Sequence, residues 1–418
     1  MPVTYPSLEW LPVRHQIRQA LNCQPLHFKL EPTSIIIGRI TMDIFEHQDT
    51  LNDIDRNIEL GKKLTLVHDT LKTSLPFISH IAATLYDNKT DTLKTFVYSG
   101  EEKYPLVHYQ AKLSDAPSLL EILHKGRPRV VNNLAIFASN NHEHAKHINK
   151  QGFLSSYTMP MYVRGTLFGF LFFNSYELSS FTEEVLRKID PYGHLISLII
   201  INDLASIQTM MSAVKAARDM AHLHDYETGT HQDRMSHYAQ LIAQNVAAKY
   251  NLTDEYIENI FVFSVLHDIG KIGLPDSILQ KPSRLTDEEF TIMKSHAIKG
   301  KQLINQLLDN FELNKMPHIA ILRNIAELHH EALDGSGYPY GRKAEDIPIE
   351  ARITAVADIF DALTSRRPYK QAWTNDDAFA VLKQLSGVKL DPDCVNALIE
   401  SREEIEKIQR RFSEDIIG

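Results

Sequence analysis

Apolar and polar positions divide the chain into a mixed first half and a helical second half. Up to about residue 50 the pattern is weakly periodic, apart from a β-branched run at Ser34-Ile35-Ile36-Ile37 that reads as a strand. From Asp49 to about Leu71 the apolar positions Leu51, Ile54, Ile58, Leu60, Leu64, Leu66 and Leu71 fall roughly on one helical face. Phe77–Tyr86 predicts a strand, Asp87-Asn88-Lys89-Thr90-Asp91 supplies turn chemistry, and Leu93–Tyr98 predicts the returning strand. Ser118–His124 reads as a short helix and Arg129-Val130-Val131 as a short strand. Tyr157–Val163 and Leu167–Asn174 flank Arg164-Gly165-Thr166, a second hairpin signal. Glu183 to about Met220 has little glycine or proline and predicts one long helix.

Beyond about Ala213 the pattern is almost wholly helical. Turns interrupt it at Leu274-Pro275-Asp276, Lys281-Pro282-Ser283 and Asp334-Gly335-Ser336-Gly337-Tyr338-Pro339. Thr286-Asp287-Glu288-Glu289 before Phe290 is a helix-start signature. The order of elements therefore predicts a multidomain protein: an N-terminal α+β domain with an antiparallel sheet, then an all-α domain. The long helix between them carries an apolar stripe, Leu195, Leu198, Ile199, Leu204, Ile207, Met211 and Val214. Such a stripe either packs on its own domain or pairs with a second copy of the chain.

Length agrees with two domains, since 418 residues exceed one ordinary core. A formal net charge of −9 argues against a duplex nucleic-acid binder, which needs a basic face. Cys23 and Cys394 lie far apart and form no disulfide framework, which suits a reducing compartment. The N-terminus lacks a signal-peptide pattern, and the densest apolar run, Leu195–Ile201, is too short to span a bilayer. The expectation is a cytoplasmic protein without a membrane span.

The helical half is rich in nitrogen and oxygen donors. Glu227 and His231 are four apart and share a helix face. His267 and Asp268 are adjacent, and Lys271 follows one turn later. His296, then His329 and His330, come next. Asp358 and Asp361 lie in an otherwise apolar helix, where an unpaired buried carboxylate is costly. Each has a bland explanation alone, as a surface carboxylate or one polar position on an amphipathic helix. Together, imidazoles and carboxylates in this number suit a centre of two or three divalent metals that activates water for phosphoester hydrolysis.

Two resemblances follow. Residues 45–205, through their strand order and the hairpin Gly165-x-x-x-Gly169-Phe170-Leu171, resemble a GAF-type sensory domain; residues 1–44 are an extension before it. The stretch Asn140 to His147, with His142, His144 and His147, reads as a solvated loop, and Tyr157, Met159 and Met161 as core positions. Residues 206–418 resemble an HD-GYP phosphodiesterase, with markers in the family's order. These are Glu227-Thr228-Gly229-Thr230-His231, His267-Asp268-Ile269-Gly270-Lys271, His296, His329-His330-Glu331 running into Gly337-Tyr338-Pro339, and Asp358 followed by Ser365-Arg366-Arg367-Pro368-Tyr369-Lys370.

The second resemblance implies roles for single residues. His231, His267, Asp268, His296, His329, His330 and Asp358 are metal ligands, with Asp268 the bridge. Glu227 holds a third ion or supports the other ligands. Iron is the metal implied first, then manganese. Lys271 contacts a phosphate or assists the leaving oxygen, and Arg367 and Lys370 clamp the phosphates. Gly337 lets the backbone pass close to the pocket, and Tyr338 stacks on a guanine or locks its loop. The implied substrate is cyclic di-GMP, cleaved to linear pGpG and possibly onward to GMP. The mixed cyclic GMP-AMP and a silent cyclic-dinucleotide receptor are the alternatives. A homodimer, a sensory input through the first domain, and GGDEF-type or other signalling partners are implied as well.

Overall fold

The polar run Asp87–Asp91 turns the chain back on itself, with Asp91 taking the left-handed conformation (φ 57°) that closes a tight hairpin. Strand β3 (His80–Asp87) and strand β4 (Thr92–Ser99) pair antiparallel on either side of it, with Ala82 opposite Tyr98. They follow a separate two-strand hairpin, β1 (Ile36–Ile37) with β2 (Ile40–Thr41), and helix α1 (Leu60–Lys72). The computed structural model describes residues 36–37, 40–41, 47–100, 108–137, 151–220, 229–365 and 372–413. Residues 50–418 form one unit, and the β1–β2 hairpin belongs to another. Glu227, Arg367, Lys370, His142, His144, His147 and most of the 1–44 extension lie outside the described residues.

After β4 come β5 (Gln110–Lys112), helix α2 (Pro117–Lys125), β6 (Arg129–Val131), β7 (Ser155–Val163), β8 (Thr166–Ser175) and helix α3 (Glu183–Met220). The second hairpin forms as expected, with Met159 opposite Leu171. The six strands make one antiparallel sheet in the order β5-β4-β3-β8-β7-β6. One face carries α1 and the first half of α3, where Val67 and Leu71 meet Ile81, Met159, Met161, Phe173, Ile189 and Ile196. Tyr157, Met159 and Met161 are thus core residues. The other face packs on α2 through Leu119, Ile122 and Phe170.

Two expectations change. The helix expected from Asp49 begins only at Leu60, and residues 50–55 form turns. Asn52, Asp53 and Asp55 favour local turn hydrogen bonds over helix, although Leu51 and Ile54 still pack on the sheet core. The segment Glu183–Val214 is also long and apolar enough by composition to cross a membrane, which the uninterrupted run Leu195–Ile201 did not reveal. In the structure one stripe of it is packed, Ile189, Ile196 and Ile200 in the sheet core and Ile207, Met210 and Val214 in the helical core, while only 22% of its apolar window is buried. Leu198 from the expected stripe points outward, 65% exposed.

The helical half comprises α4 (Gly229–Tyr250), α5 (Asp254–Ser264), α6 (Asp287–Lys294), α7 (His296–Asn310), α8 (Ile319–Leu328), α9 (Ile349–Thr364), α10 (Asn375–Leu385), α11 (Pro392–Glu400) and α12 (Arg402–Arg411). The Thr286 capping box opens α6 as its sequence predicts. Tyr238, Phe263, Leu322, Val356 and Phe360 are centres of one apolar core.

Sheet and helices meet through polar contacts that crowd onto α5. Asp254 accepts from the Thr95 hydroxyl (2.8 Å), the His108 amide (3.0 Å) and the His108 ring (2.7 Å). Glu255 accepts from the amide of Leu60 (3.2 Å). Lys94 and Glu258 form a buried ion pair at 2.6 Å, with the ammonium over the Phe261 ring. Burial makes such a pair sensitive to geometry, so it fixes which surfaces meet more than it stabilises them.

Candidate metal centre

Three histidines are oriented by the same device. The Nδ1 of His267 lies 2.9 Å from Ser264 O, that of His296 2.8 Å from Met293 O, and that of His329 2.8 Å from Ile325 O. A carbonyl only accepts, so each Nδ1 carries the proton and each Nε2 keeps a lone pair. His231, in the first turn of α4, is held instead by Asp361, whose Oδ2 lies 2.6 Å from Nδ1. Such partners fix ring orientation and raise the basicity of the ligating nitrogen.

The expected ligands come from separate elements and converge. Asp268 precedes a tight 3-10 turn, Ile269–Gly273, that packs on the start of α7. A Cβ on Gly270 would collide with His296 O, so only glycine permits this approach. Asp268, His296, His329 and His330 each offer a donor atom within 4.8 Å of the others, and so do His231, His267 and Asp358. Asp268 stands between the two groups. Its Oδ1 is 3.0 Å from His296 Nε2 and 3.7 Å from His329 Nε2. Its Oδ2 is 3.2 Å from His267 Nε2 and 2.8 Å from Lys271 Nζ. Asp358 Oδ1 lies 3.9 Å from His267 Nε2.

The electrostatics suit a cation. Burial pushes Asp268 up, but Lys271 and His267 beside it outweigh this and hold it well below the usual carboxylate range. Burial lowers His329, and lowers His330 further with His329 next to it, so both rings stay neutral. The buried Nε2 atoms of His296 and His329 and the Oδ1 of Asp268 make no hydrogen bond. Buried lone pairs without hydrogens are costly unless a cation takes them. These residues fit a pair of divalent ions with nitrogen and oxygen ligands.

The loop after His330 forms one wall. Tyr338 N donates to His330 O (3.1 Å), and the Tyr338 ring lies 4.6 Å from the His330 ring. A Cβ on Gly337 would come within 2.5 Å of His330 O and Glu331 Cα, so close backbone approach requires this glycine. Glu331, next to the ligands, turns away and caps the loop through the amides of Tyr340 and Arg342, both at 2.8 Å. Lys294 Nζ sits 5.7 Å from the centre of the Tyr338 ring.

Asp361 and Arg234 carry roles that spacing did not assign. Arg234 Nε and Nη2 reach Asp361 at 2.7 and 3.1 Å, Nη1 reaches Phe412 O at 2.9 Å, and Nη2 reaches Ser365 Oγ at 2.7 Å. Burial pushes Asp361 up, but the hydrogen bonds from His231 and Arg234 keep it ionised. The available signals were the apolar helix around Asp361 and the three-residue step from His231 to Arg234, which puts both on one face of α4.

Fold and site together define a helical domain built around a cluster of histidines and carboxylates that could hold metal. Residues 215–394 match the family model described as HD domain, so the helical part of the chain contains an HD domain. Similar curated proteins include the cyclic di-GMP phosphodiesterase response regulator RpfG of Xanthomonas campestris pv. campestris. It is 45% identical over 189 residues, which cover 45% of this chain and 47% of the relative. The 3'3'-cGAMP-specific phosphodiesterase 2 of Vibrio cholerae is 38% identical over 178 residues, covering 43% of this chain and 32% of the relative. The chain spans less than half the length of either relative. Among solved structures, the GAF domain of the Acinetobacter phosphoenolpyruvate-protein phosphotransferase is similar, at 14% identity, 37% of this chain, 90% of that chain and a TM-score of 0.30.

Proposed function

We propose that this chain is a metal-dependent phosphodiesterase that hydrolyses cyclic di-GMP to linear pGpG, under control of its sheet domain. The observation that carries this reading is Asp268, with one oxygen facing His296 and His329 and the other facing His267 and Lys271. A carboxylate so placed suits a bridge between two ions. His296, His329 and His330 would hold one, and His231, His267 and Asp358 the other. Bound divalent metals supply Lewis acidity and a readily ionised water at neutral pH. Iron or manganese suits these ligands, and Glu227 would add a third ion.

The side chains then divide the remaining work. Lys271, 2.8 Å from Asp268, lies where its ammonium can hold a phosphate oxygen or pass a proton to the departing 3' oxygen. Tyr338 walls the site beside His330, and burial first, then Asp268 and Asp358, holds its hydroxyl protonated. Arg367 and Lys370 would clamp the phosphates. A third ion would favour onward cleavage to GMP.

A second reading, hydrolysis of mixed cyclic GMP-AMP, is favoured by the 38% identity to a protein named for that activity. Protein purified without oxygen, loaded with iron, and given each dinucleotide separately tests both. Faster cleavage of cyclic di-GMP supports the first reading, and faster cleavage of the mixed dinucleotide the second. Cleavage of neither refutes the assignment as an enzyme.

A further inference from the structure

A second cavity, of about 450 Å³, lies at the seam between sheet and helices and shares no lining residue with the metal centre. The β3–β4 hairpin and β5 form one wall, and α4 with the end of α12 the other. Its floor is apolar: Leu241, Ile408 and Phe412, with the Phe412 ring 4.8 Å from the His237 ring. Gln240 and Gln244 also line it, and the Gln240 amide donates to Glu258 at 3.4 Å. Its rim is basic, with Lys112, Lys407, Arg410 and Arg411, although the whole chain carries a net charge of −9. Of the two carboxylates there, Asp87 already accepts from Lys89 N (2.9 Å) and Thr90 Oγ1 (2.7 Å). Glu404 faces Lys407 at 3.4 Å. Lys112 and Arg411 pair with no carboxylate among the described residues.

We propose that this cavity binds a small organic phosphate of the nucleotide class and that its occupancy is felt at the metal centre. A flat base fits the apolar floor, the Gln244 amide meets its polar edge, and the phosphate goes to Lys112 and Arg411. The volume is in the range of small-molecule sites, about 300–1,000 Å³, which favour domain seams. The link to the metal centre is continuous. The Phe412 side chain lines the cavity, and its carbonyl accepts from Arg234 Nη1 at 2.9 Å. Arg234 grips Asp361 at 2.7 Å, and Asp361 holds His231 at 2.6 Å. A ligand that moves Phe412 therefore acts on the residues that aim a metal ligand. The link rests on the proposed phosphodiesterase for its activity readout; the binding does not.

The test is calorimetric titration of GMP into the metal-loaded full chain, its Asp268→Ala variant and a Lys112→Glu/Arg411→Glu double variant. Binding should persist in Asp268→Ala and weaken by roughly tenfold or more in the double variant, as expected for lost charge-assisted hydrogen bonds. A double variant with wild-type melting temperature and metal content establishes that its loss is local. No binding up to about 1 mM overturns the site. So does binding that survives charge reversal but disappears in Asp268→Ala, which would place GMP at the metal centre. Inorganic phosphate that binds as tightly as GMP overturns the nucleotide class. For the link, GMP should change kcat/KM for cyclic di-GMP in wild type and not in the double variant; an equal response in both refutes it. A chain that cleaves no dinucleotide refutes the proposed activity alone, because the titration reads the cavity without it.

Discussion

Replacing Asp361 by asparagine removes a charge at almost constant volume, so it isolates what the carboxylate does. Asp361 is fully buried and accepts from His231 Nδ1 (2.6 Å), Arg234 Nε (2.7 Å) and Ser365 Oγ (2.8 Å). Without that charge the buried Arg234 guanidinium loses its carboxylate partner, while its bonds to the Phe412 carbonyl and the Ser365 hydroxyl remain. One-sided loss of a buried pair costs about 3–5 kcal/mol. For a domain of this size that lowers the melting temperature by roughly 6–20 °C. His231 also loses an anionic acceptor, and removing such a partner costs about 10–100-fold in metal affinity. A second variant, Arg234→Met/Asp361→Leu, separates the effects. Replacing both charges by apolar groups is often neutral or stabilising by about 1–4 kcal/mol, so it should melt near wild type yet still bind metal weakly. Melting scans at fixed metal concentration, with chelator competition for affinity, read both quantities. Wild-type melting and metal affinity in Asp361→Asn would refute the anchoring role. Wild-type affinity in the double variant would refute the hydrogen bond to His231 as its means.

Gly337→Ala should lower the cleavage rate by more than about tenfold while leaving metal content unchanged, since a Cβ within 2.5 Å of His330 O displaces the Tyr338 loop; an unaltered rate counts against the close-approach explanation. Burial, then neighbouring His68, pushes His80 down to about 3 from an ordinary 6.5. A depressed folded-state value means stability that is complete above pH 6.5 and is lost as pH falls toward 3, by about 2 kcal/mol at pH 5. His80→Gln should flatten the dependence of melting temperature on pH between 7.5 and 5, and an unchanged slope would overturn the assignment. Glu227→Ala should lower the metal content by about one ion per chain, and an unchanged count by elemental analysis removes the third ion.

Local chemistry made much of the molecule readable in advance. Asp87–Asp91 and Arg164-Gly165-Thr166 name their turns because φ > 0 and side-chain-to-backbone bonds are properties of a few residues. The donors His231, His267, Asp268, His296, His329, His330 and Asp358 could be collected because imidazole and carboxylate are scarce on apolar helices. The structure then brought all of them together. What failed was knowledge of partners. Asp361 was visible as a misplaced acid, but its grip on Arg234 joins residues 127 positions apart, and no periodicity encodes such a pairing. The seam was invisible for the same reason. Asp254 and Glu255 look like the ordinary acidic first turn of a surface helix, which lowers helix-end energy with or without a partner domain, and Glu258 like one more surface acid. The early residues Leu51 and Ile54 failed differently: their spacing is helical, yet the intervening Asn52, Asp53 and Asp55 turn the chain before the periodicity can propagate.

Helix α4 ties these features together, and its geometry limits how the sheet can influence the metals. Its first turn carries His231, the next carries Arg234, and beyond them His237 and Gln240 line the seam cavity. Asp233, on another face, accepts from Lys89 of the β3–β4 hairpin at 2.8 Å. A helix moves as a rod, because sliding or rotating one turn alone breaks its hydrogen-bond ladder. Movement of the hairpin or of Phe412 therefore reaches His231 only if α4 shifts as a unit. Arg234 resists that shift by holding α9 through Asp361 and the end of α12 through Phe412. Shift is thus concerted among α4, α9 and α12 or it does not occur, and α9 also carries Asp358. Any displacement that moves His231 consequently moves Asp358, another member of the same candidate cluster. A misplacement of about 1 Å is enough to change rates by about 100-fold. Control from the seam would thus fall first on His231 and Asp358 of the His231–His267–Asp358 cluster.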